Sequence, residues 1–221
     1  MTDPQWLLWA RKLEAVSQNG LRTPYGSRDP IDLERYKEVQ QIAAEIVEHH
    51  SDLPTEKLIG LFEGQSGYTT PKVSVRAAIF DGPNILLVRE IHSGLWTTPG
   101  GYAEVNETPS EAVEREVLEE SGYEVKARRL LAVRNRMRLP DESIRFFNFY
   151  ILYFDCEPTG KVQEPSPLET SEAAFHPLDD LPLTIRFDGP FTEEQRRAAT
   201  RQHYGRLFEL HNNPDLAPDF D

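Results

Sequence analysis

The sequence predicts an α/β sandwich preceded by a small helical N-terminal domain. Three observations carry that prediction. Residues 1 to 70 place apolar side chains at helical spacing. From Val73 the texture changes to β-branched and aromatic runs broken by turn residues. A single helix, signalled at both ends, lies among those runs at residues 108 to 122.

In the first segment, Trp6, Trp9, Ala10, Leu13 and Val16 form one stripe. A loop rich in Gly, Pro, Ser and Asp follows at residues 20 to 31. Leu33, Tyr36, Val39, Ala43, Ile46 and Val47 form a second stripe, with Asp32 as its N-cap. A short third helix runs from Thr55 to Phe62, after Pro54. Three short helices make a thin core, so the Trp6 and Trp9 face calls for a cover. A homodimer interface is the cover the sequence favours, because aromatic anchors concentrate at interfaces.

The second segment, 71–210, opens with a strand from Val73 to Phe80, a turn at Asp81-Gly82-Pro83-Asn84, and a return strand from Ile85 to Arg89. Two longer strands are predicted at Tyr123–Val133 and Phe146–Cys156, and a short one at Ala173–His176. Leu178 to Pro182 reads as a turn of helix. Phe191 to Leu210 reads as a terminal helix capped by Thr192, with Glu193 and Glu194 in its first turn. Residues 211 to 221 are expected to be a frayed tail.

Composition narrows the function classes. Net charge is −13, from 24 basic and 37 acidic residues, which argues against binding nucleic acid or an anionic membrane without specificity. Cys156 is the only cysteine, so no intrachain disulfide can form, and a reducing cytoplasm is the expected setting. No apolar run approaches the length of a membrane span.

The chemistry is concentrated in residues 101 to 123, GYAEVNETPSEAVEREVLEESGY. Thr108-Pro109-Ser110-Glu111 is a capping box with proline at the first helical position. Gly122 stands where a left-handed C-cap belongs. Ala112, Val113 and Val117 mark the buried stripe. Glu116 and Glu120 are one turn apart on one face, with Glu119 beside them. Unpaired carboxylates at this spacing repel by a few tenths of a kcal/mol, at roughly 0.2–0.5. A divalent cation turns that repulsion into binding. Mg2+ or Mn2+ suits an all-oxygen site that also takes substrate phosphates. The glycine-rich entry, Trp96 to Gly101, lets backbone approach a ligand closely.

The same residues resemble the Nudix box: Gly101, five residues, Glu107, seven residues, Arg115-Glu116, the apolar Val117, Leu118, Glu119-Glu120, Ser121 and Gly122. Tyr123 stands where an aliphatic residue is usual, and Thr98 where an apolar residue often precedes Pro-Gly-Gly. The resemblance implies a Nudix α/β/α sandwich and hydrolysis of a nucleoside diphosphate linked to another group. It implies Glu116, Glu119 and Glu120 as metal ligands, with the Gly100 carbonyl as a further one. Arg115 is expected to orient the carboxylates, and Glu107 to steady the loop or join the metal shell. A narrower pattern, Trp6 to Ala10, Asp32 to Tyr36 and Gly67 to Val73, is similar to the N-terminal domain of a bacterial Nudix subgroup. That subgroup includes CDP-choline and ADP-ribose pyrophosphatases, and CDP-choline is the leading expectation.

Outside the box the candidates are less sharply marked. Glu169 and Glu172 are candidate general bases. Arg134, Arg136, Arg138 and Arg145 crowd one strand and the loop after it, where they could clamp a diphosphate. Trp96, Tyr102, Phe146, Phe147 and Tyr150 could stack a base or surround a choline cation. The competing class is a nucleotide-sensing or partner-binding module that keeps the fold without catalysis. The complete carboxylate set favours the enzyme.

Overall fold

The computed structural model describes residues 4–23, 26–64, 67–137, 148–182 and 192–220. The chain divides into two compact units, one of residues 1–71 with 137–149, the other of residues 72–136 with 150–221. No helix among the described residues is long and apolar enough to cross a membrane.

The first unit contains α1 (Gln5–Arg22), α2 (Pro30–His49) and α3 (Thr55–Glu63). Asp29, not Asp32, caps α2. Its carboxylate accepts from the Ile31 and Asp32 N–H groups, and Pro30 takes the first helical position. Leu7, Ala10, Ala44, Val47, Leu58 and Phe62 form the core.

The buried face of α1 differs from the expected stripe. It runs through Leu7, Ala10, Glu14, Ser17, Gln18 and Gly20. Small residues let the helices approach closely. Ser17 Oγ donates to the Tyr36 carbonyl at 2.7 Å, and a Cβ on Gly20 would stand 2.4 Å from the Tyr36 ring. Trp6 stacks on His50 with centroids 4.6 Å apart and borders this core. Trp9 and Val16 face outward, at 56% and 57% exposure.

Glu14 is 4% exposed, and burial raises its carboxyl from 4.5 to about 7, against the opposing pull of Arg22. The folded state therefore holds this proton more tightly than the unfolded chain. The associated stability is complete below pH 4.5 and is lost as pH rises through about 7. Glu14→Gln should remove that slope, leaving the variant more stable than the parent by about 2 kcal/mol at pH 8. Urea melts of both proteins at pH 5 and pH 8 check this. Parallel pH dependences would rule out Glu14 as the source.

The second unit carries two sheets. β1 (Lys72–Ala78), β6 (Asn148–Lys161), β5 (Tyr123–Met137) and β8 (Asp219–Phe220) follow in that spatial order. The other sheet runs β2 (Phe80–Asp81), β3 (Asn84–Glu90), β4 (Trp96–Thr97), with β7 (Thr170–Pro177) also paired to β3. The helices are α4 (Pro109–Ser121) and α5 (Glu193–Asn212).

Strand alternation sets the layers. Val75, Ala77, Ile79 and Leu86 join Ala112, Val113 and Val117 of α4 in one core. Ala78, Phe80, Ile85 and Leu87 join Tyr204, Leu207 and Leu210 of α5 in another. Successive side chains of β1 and β3 thus serve opposite helices, which makes the α/β/α sandwich.

Two expectations for the end of the chain need correction. Residues 178–182 form a turn, with the Asp180 N–H on the Pro177 carbonyl, and no helix. The tail is tied down through Asp219–Phe220, which pair in parallel with Ala132–Val133 of β5. Asp219 accepts from Arg206 at 2.7 and 2.8 Å and from Arg134 at 3.1 Å. These long-range ion pairs leave no trace in the local sequence pattern.

Candidate active site

α4 forms as its signals predict. Thr108 Oγ1 accepts from the Glu111 N–H, and the Glu111 carboxylate accepts from the Thr108 N–H. Gly122 closes the helix at φ 75°, where an L side chain would also meet the Gln163 carbonyl at 1.9 Å. The apolar stripe faces the sheet, and this turns Glu116 and Glu120 into a buried position, 8% and 9% exposed.

The Thr98–Gly101 turn lies against those carboxylates. The Gly100 N–H donates to Glu120 Oε2 at 2.7 Å. A Cβ on Gly101 would fall 2.7 Å from the Glu116 carboxylate. β1 grips the turn from behind. The Ala77 N–H reaches the Pro99 carbonyl and the Val75 N–H reaches the Gly101 carbonyl, both at 2.9 Å. Arg76 Nη1 reaches the Thr98 carbonyl at 2.7 Å. The carbonyls of 98, 99 and 101 are therefore each engaged. That of Gly100, a buried residue, receives no donor from the described residues.

Arg115 is saturated by local partners. It binds Glu107 through Nε at 2.6 Å and Nη2 at 3.2 Å. Nη1 reaches Glu116 at 2.9 Å and Glu119 at 3.1 Å, and Nη2 the Tyr102 carbonyl at 3.2 Å. This fits an organising role and leaves Glu107, held low by Arg115, as the anchor of that network. Glu119 is mostly exposed. No three acidic, His or Cys side chains among the described residues converge on one point.

The electrostatics are those of carboxylates withdrawn from water. Burial raises Glu116 even though Arg115 lowers it. Burial raises Glu120 from 4.5 to about 7, against the opposing pull of Arg76 and the Gly100 N–H. Two buried carboxylates beside a glycine turn whose Gly100 carbonyl is unengaged supply oxygen donors of the kind a hard divalent cation takes. The residues present therefore fit such an ion.

The remaining candidates divide. Glu169 is brought near the helix end. The Ser166 N–H donates to the Glu119 carbonyl and Thr170 Oγ1 to the Glu120 carbonyl, at 2.7 and 2.8 Å. Glu172 lies exposed on β7, opposite Arg89. Arg134, expected to clamp substrate, instead binds Asp219. The side chain of Arg136, and the residues Arg138, Arg145, Phe146 and Phe147, lie outside the described residues. Trp96 packs edge-on against His176 at 4.4 Å, whereas the Tyr102 and Tyr150 side chains are exposed. Two charged residues escaped the sequence reading. Glu90 on β3 raises the Glu120 carboxyl through space. Arg76 is buried, and its signal was a lone cation inside the apolar run Val73–Phe80.

Comparison with known proteins agrees with this geometry. The family model described as NUDIX domain matches residues 70–197. A second, described as UDP-X-like, N-terminal oligomerisation domain, matches residues 4–62. The "Putative ADP-ribose pyrophosphatase YjhB" of Bacillus subtilis is 36% identical over 217 residues, 98% of this chain and 97% of the relative. A solved UDP-X diphosphatase aligns with a TM-score of 0.55 at 27% identity, covering 98% of both chains. An ADP-ribose pyrophosphatase from Streptococcus suis aligns at 0.53 and 30% identity, covering 69% of this chain and 100% of its own. The chain thus belongs to the Nudix hydrolases, as a pyrophosphohydrolase of phosphoric anhydrides with an added N-terminal domain of the UDP-X-like kind.

Proposed function

We propose that this enzyme hydrolyses the diphosphate of ADP-ribose, with CDP-choline as the second substrate to consider. The observation that carries the site is the buried Glu116–Glu120 pair, with the Gly100 N–H on Glu120 and the Gly100 carbonyl left unengaged. The similarity over the whole chain to a relative named for ADP-ribose moves the preference from CDP-choline, which the N-terminal pattern alone favours.

In this reading Glu116, Glu119, Glu120 and the Gly100 carbonyl are the groups that would hold Mg2+ or Mn2+. A divalent ion there would neutralise charge on the diphosphate and acidify a water. Arg115 keeps the carboxylates oriented. Glu169 accepts the proton as water oxygen bonds to phosphorus and the bridging P–O bond breaks, giving two phosphomonoesters. Arg136 and Arg145 remain the proposed diphosphate contacts.

The test is turnover of ADP-ribose, CDP-choline and other nucleoside diphosphate derivatives with Mg2+, scored as phosphate released by added phosphatase. ADP-ribose should be cleaved, EDTA should stop the reaction, and Mg2+ or Mn2+ should restore it. Cleavage of none of them would favour the non-catalytic module. A kcat/KM for CDP-choline more than about tenfold above that for ADP-ribose, roughly 1.4 kcal/mol, would reverse the substrate order.

The N-terminal helices are proposed to form a homodimer, supported by the outward-facing Trp9 and Val16 on α1 and by the oligomerisation domain they match. Trp9→Ala with Val16→Ala is the cleaner test, because Trp6 also serves its own unit's core. Sedimentation should show the parent as a dimer and the double variant shifted to monomer, each anchor being worth more than about 1 kcal/mol. A monomeric parent at micromolar concentration ends the idea.

A further inference from the structure

Arg76, on β1, is the one charged residue between Val73 and Phe80, and it is only 5% exposed. Holding a guanidinium there is costly unless the site uses its charge or its hydrogen bonds. Its neighbours on β1 bind the same turn that it binds. Val75 and Ala77 hold the Gly101 and Pro99 carbonyls by their N–H groups, Ser74 Oγ adds a bond to Gly101 at 2.7 Å, and Arg76 holds Thr98. Glu116 and Glu120 take their direct hydrogen bonds from Arg115 and the Gly100 N–H. Arg76 acts on both through space.

We infer that Arg76 is a positioning residue for the hydrolysis proposed above: it pins the Thr98–Gly101 turn and sets a fixed positive charge behind the two carboxylates, so that they and the Gly100 carbonyl keep one common geometry. The inference rests on that reading of the site. It has a consequence of unusual sign. By charge alone, a cation this close opposes a divalent ion, so removing it would tighten metal binding. By position, removing it releases the turn and weakens metal binding. The two effects point in opposite directions, and the metal affinity separates them.

The experiment uses the full chain with Mn2+ as the probe, measuring free Mn2+ by electron paramagnetic resonance, alongside kcat and KM on ADP-ribose. Arg76→Met should weaken Mn2+ binding by about tenfold or more and lower kcat by about a hundredfold, as expected for a misplacement near 1 Å. KM should change by less than about threefold, since uniform substrate binding is untouched. Arg76→Lys keeps the charge and one donor for Thr98, and should recover both quantities to within about tenfold of the parent. A folded Arg76→Met that binds Mn2+ as tightly as the parent, or more tightly, with parental kcat overturns the inference. Should that variant fail to fold, Arg76→Lys decides. Recovery supports positioning, whereas parental Mn2+ affinity with a raised KM assigns the arginine to substrate contact and overturns it. A parent that neither binds Mn2+ nor cleaves any substrate would instead remove the reading of the site itself.

Discussion

Glu120→Gln and Glu116→Gln should each cost about a thousandfold in kcat, several kcal/mol of transition-state stabilisation, while the protein stays folded. Each change keeps side-chain volume and removes one negative charge from the buried pair. Glu120→Gln has a second signature. Burial lifts the parental carboxyl to about 7, so keeping it ionised destabilises the metal-free fold at pH 8. Glutamine removes that penalty and its oxygen can still accept from the Gly100 N–H. In EDTA at pH 8 the variant should therefore melt a few degrees above the parent, about 1 to 2 kcal/mol. The gap should close as pH falls below 4.5, where the parental group is protonated in both states. Activity lost together with stability would mean that the residue is structural. Near-parental turnover by both variants would remove them from the metal shell.

Gly100→Ala should be among the most damaging small substitutions, alongside Gly122→Ala. The Gly100 φ of 139° disfavours any side chain, and the added Cβ would sit 2.2 Å from the Val75 carbonyl of β1. Neither backbone can yield without breaking the grip of β1 on the turn. A loss of about 4 kcal/mol or more is expected, enough to prevent folding or to lower the melting temperature by more than about 10 °C. Gly101→Ala meets a movable carboxylate instead, so its loss should fall mainly on activity. Gly205→Ala is the control. It lies on α5 with open space around the new Cβ and should be neutral or stabilising by up to about 1 kcal/mol. Calorimetry on the three variants orders them. Equal melting temperatures for Gly100→Ala and Gly205→Ala would contradict the placement of the turn.

How far the sequence speaks depends on the range of each signal. α4 is legible because its cap, stripe and C-terminal glycine are all local. The same holds for the hairpin around Asp81–Asn84, which needs only four turn residues. The inner face of α1 is not legible, because size misleads there. Tryptophan suggests a core, yet Ala10, Ser17 and Gly20 make the close contact that buries the helix. Arg134 shows the other limit. A basic residue on a strand can serve a phosphate or a carboxylate, and only the fold brings Asp219, 85 residues later, to meet it. Arg76 needed the same long-range information before a cation in an apolar strand could be tied to the carboxylates of α4.

The pairing of Asp219–Phe220 with β5 bears on how the protein should be handled. Without β8, β5 would become the edge of its sheet, and the N–H and C=O groups at Ala132–Val133 would be open to a strand from another molecule. Two residues and a pair of arginines therefore act as a stopper against edge-to-edge aggregation. Shortening the chain by a few C-terminal residues, or loading that end with a purification tag, puts solubility at risk before it touches the chemistry.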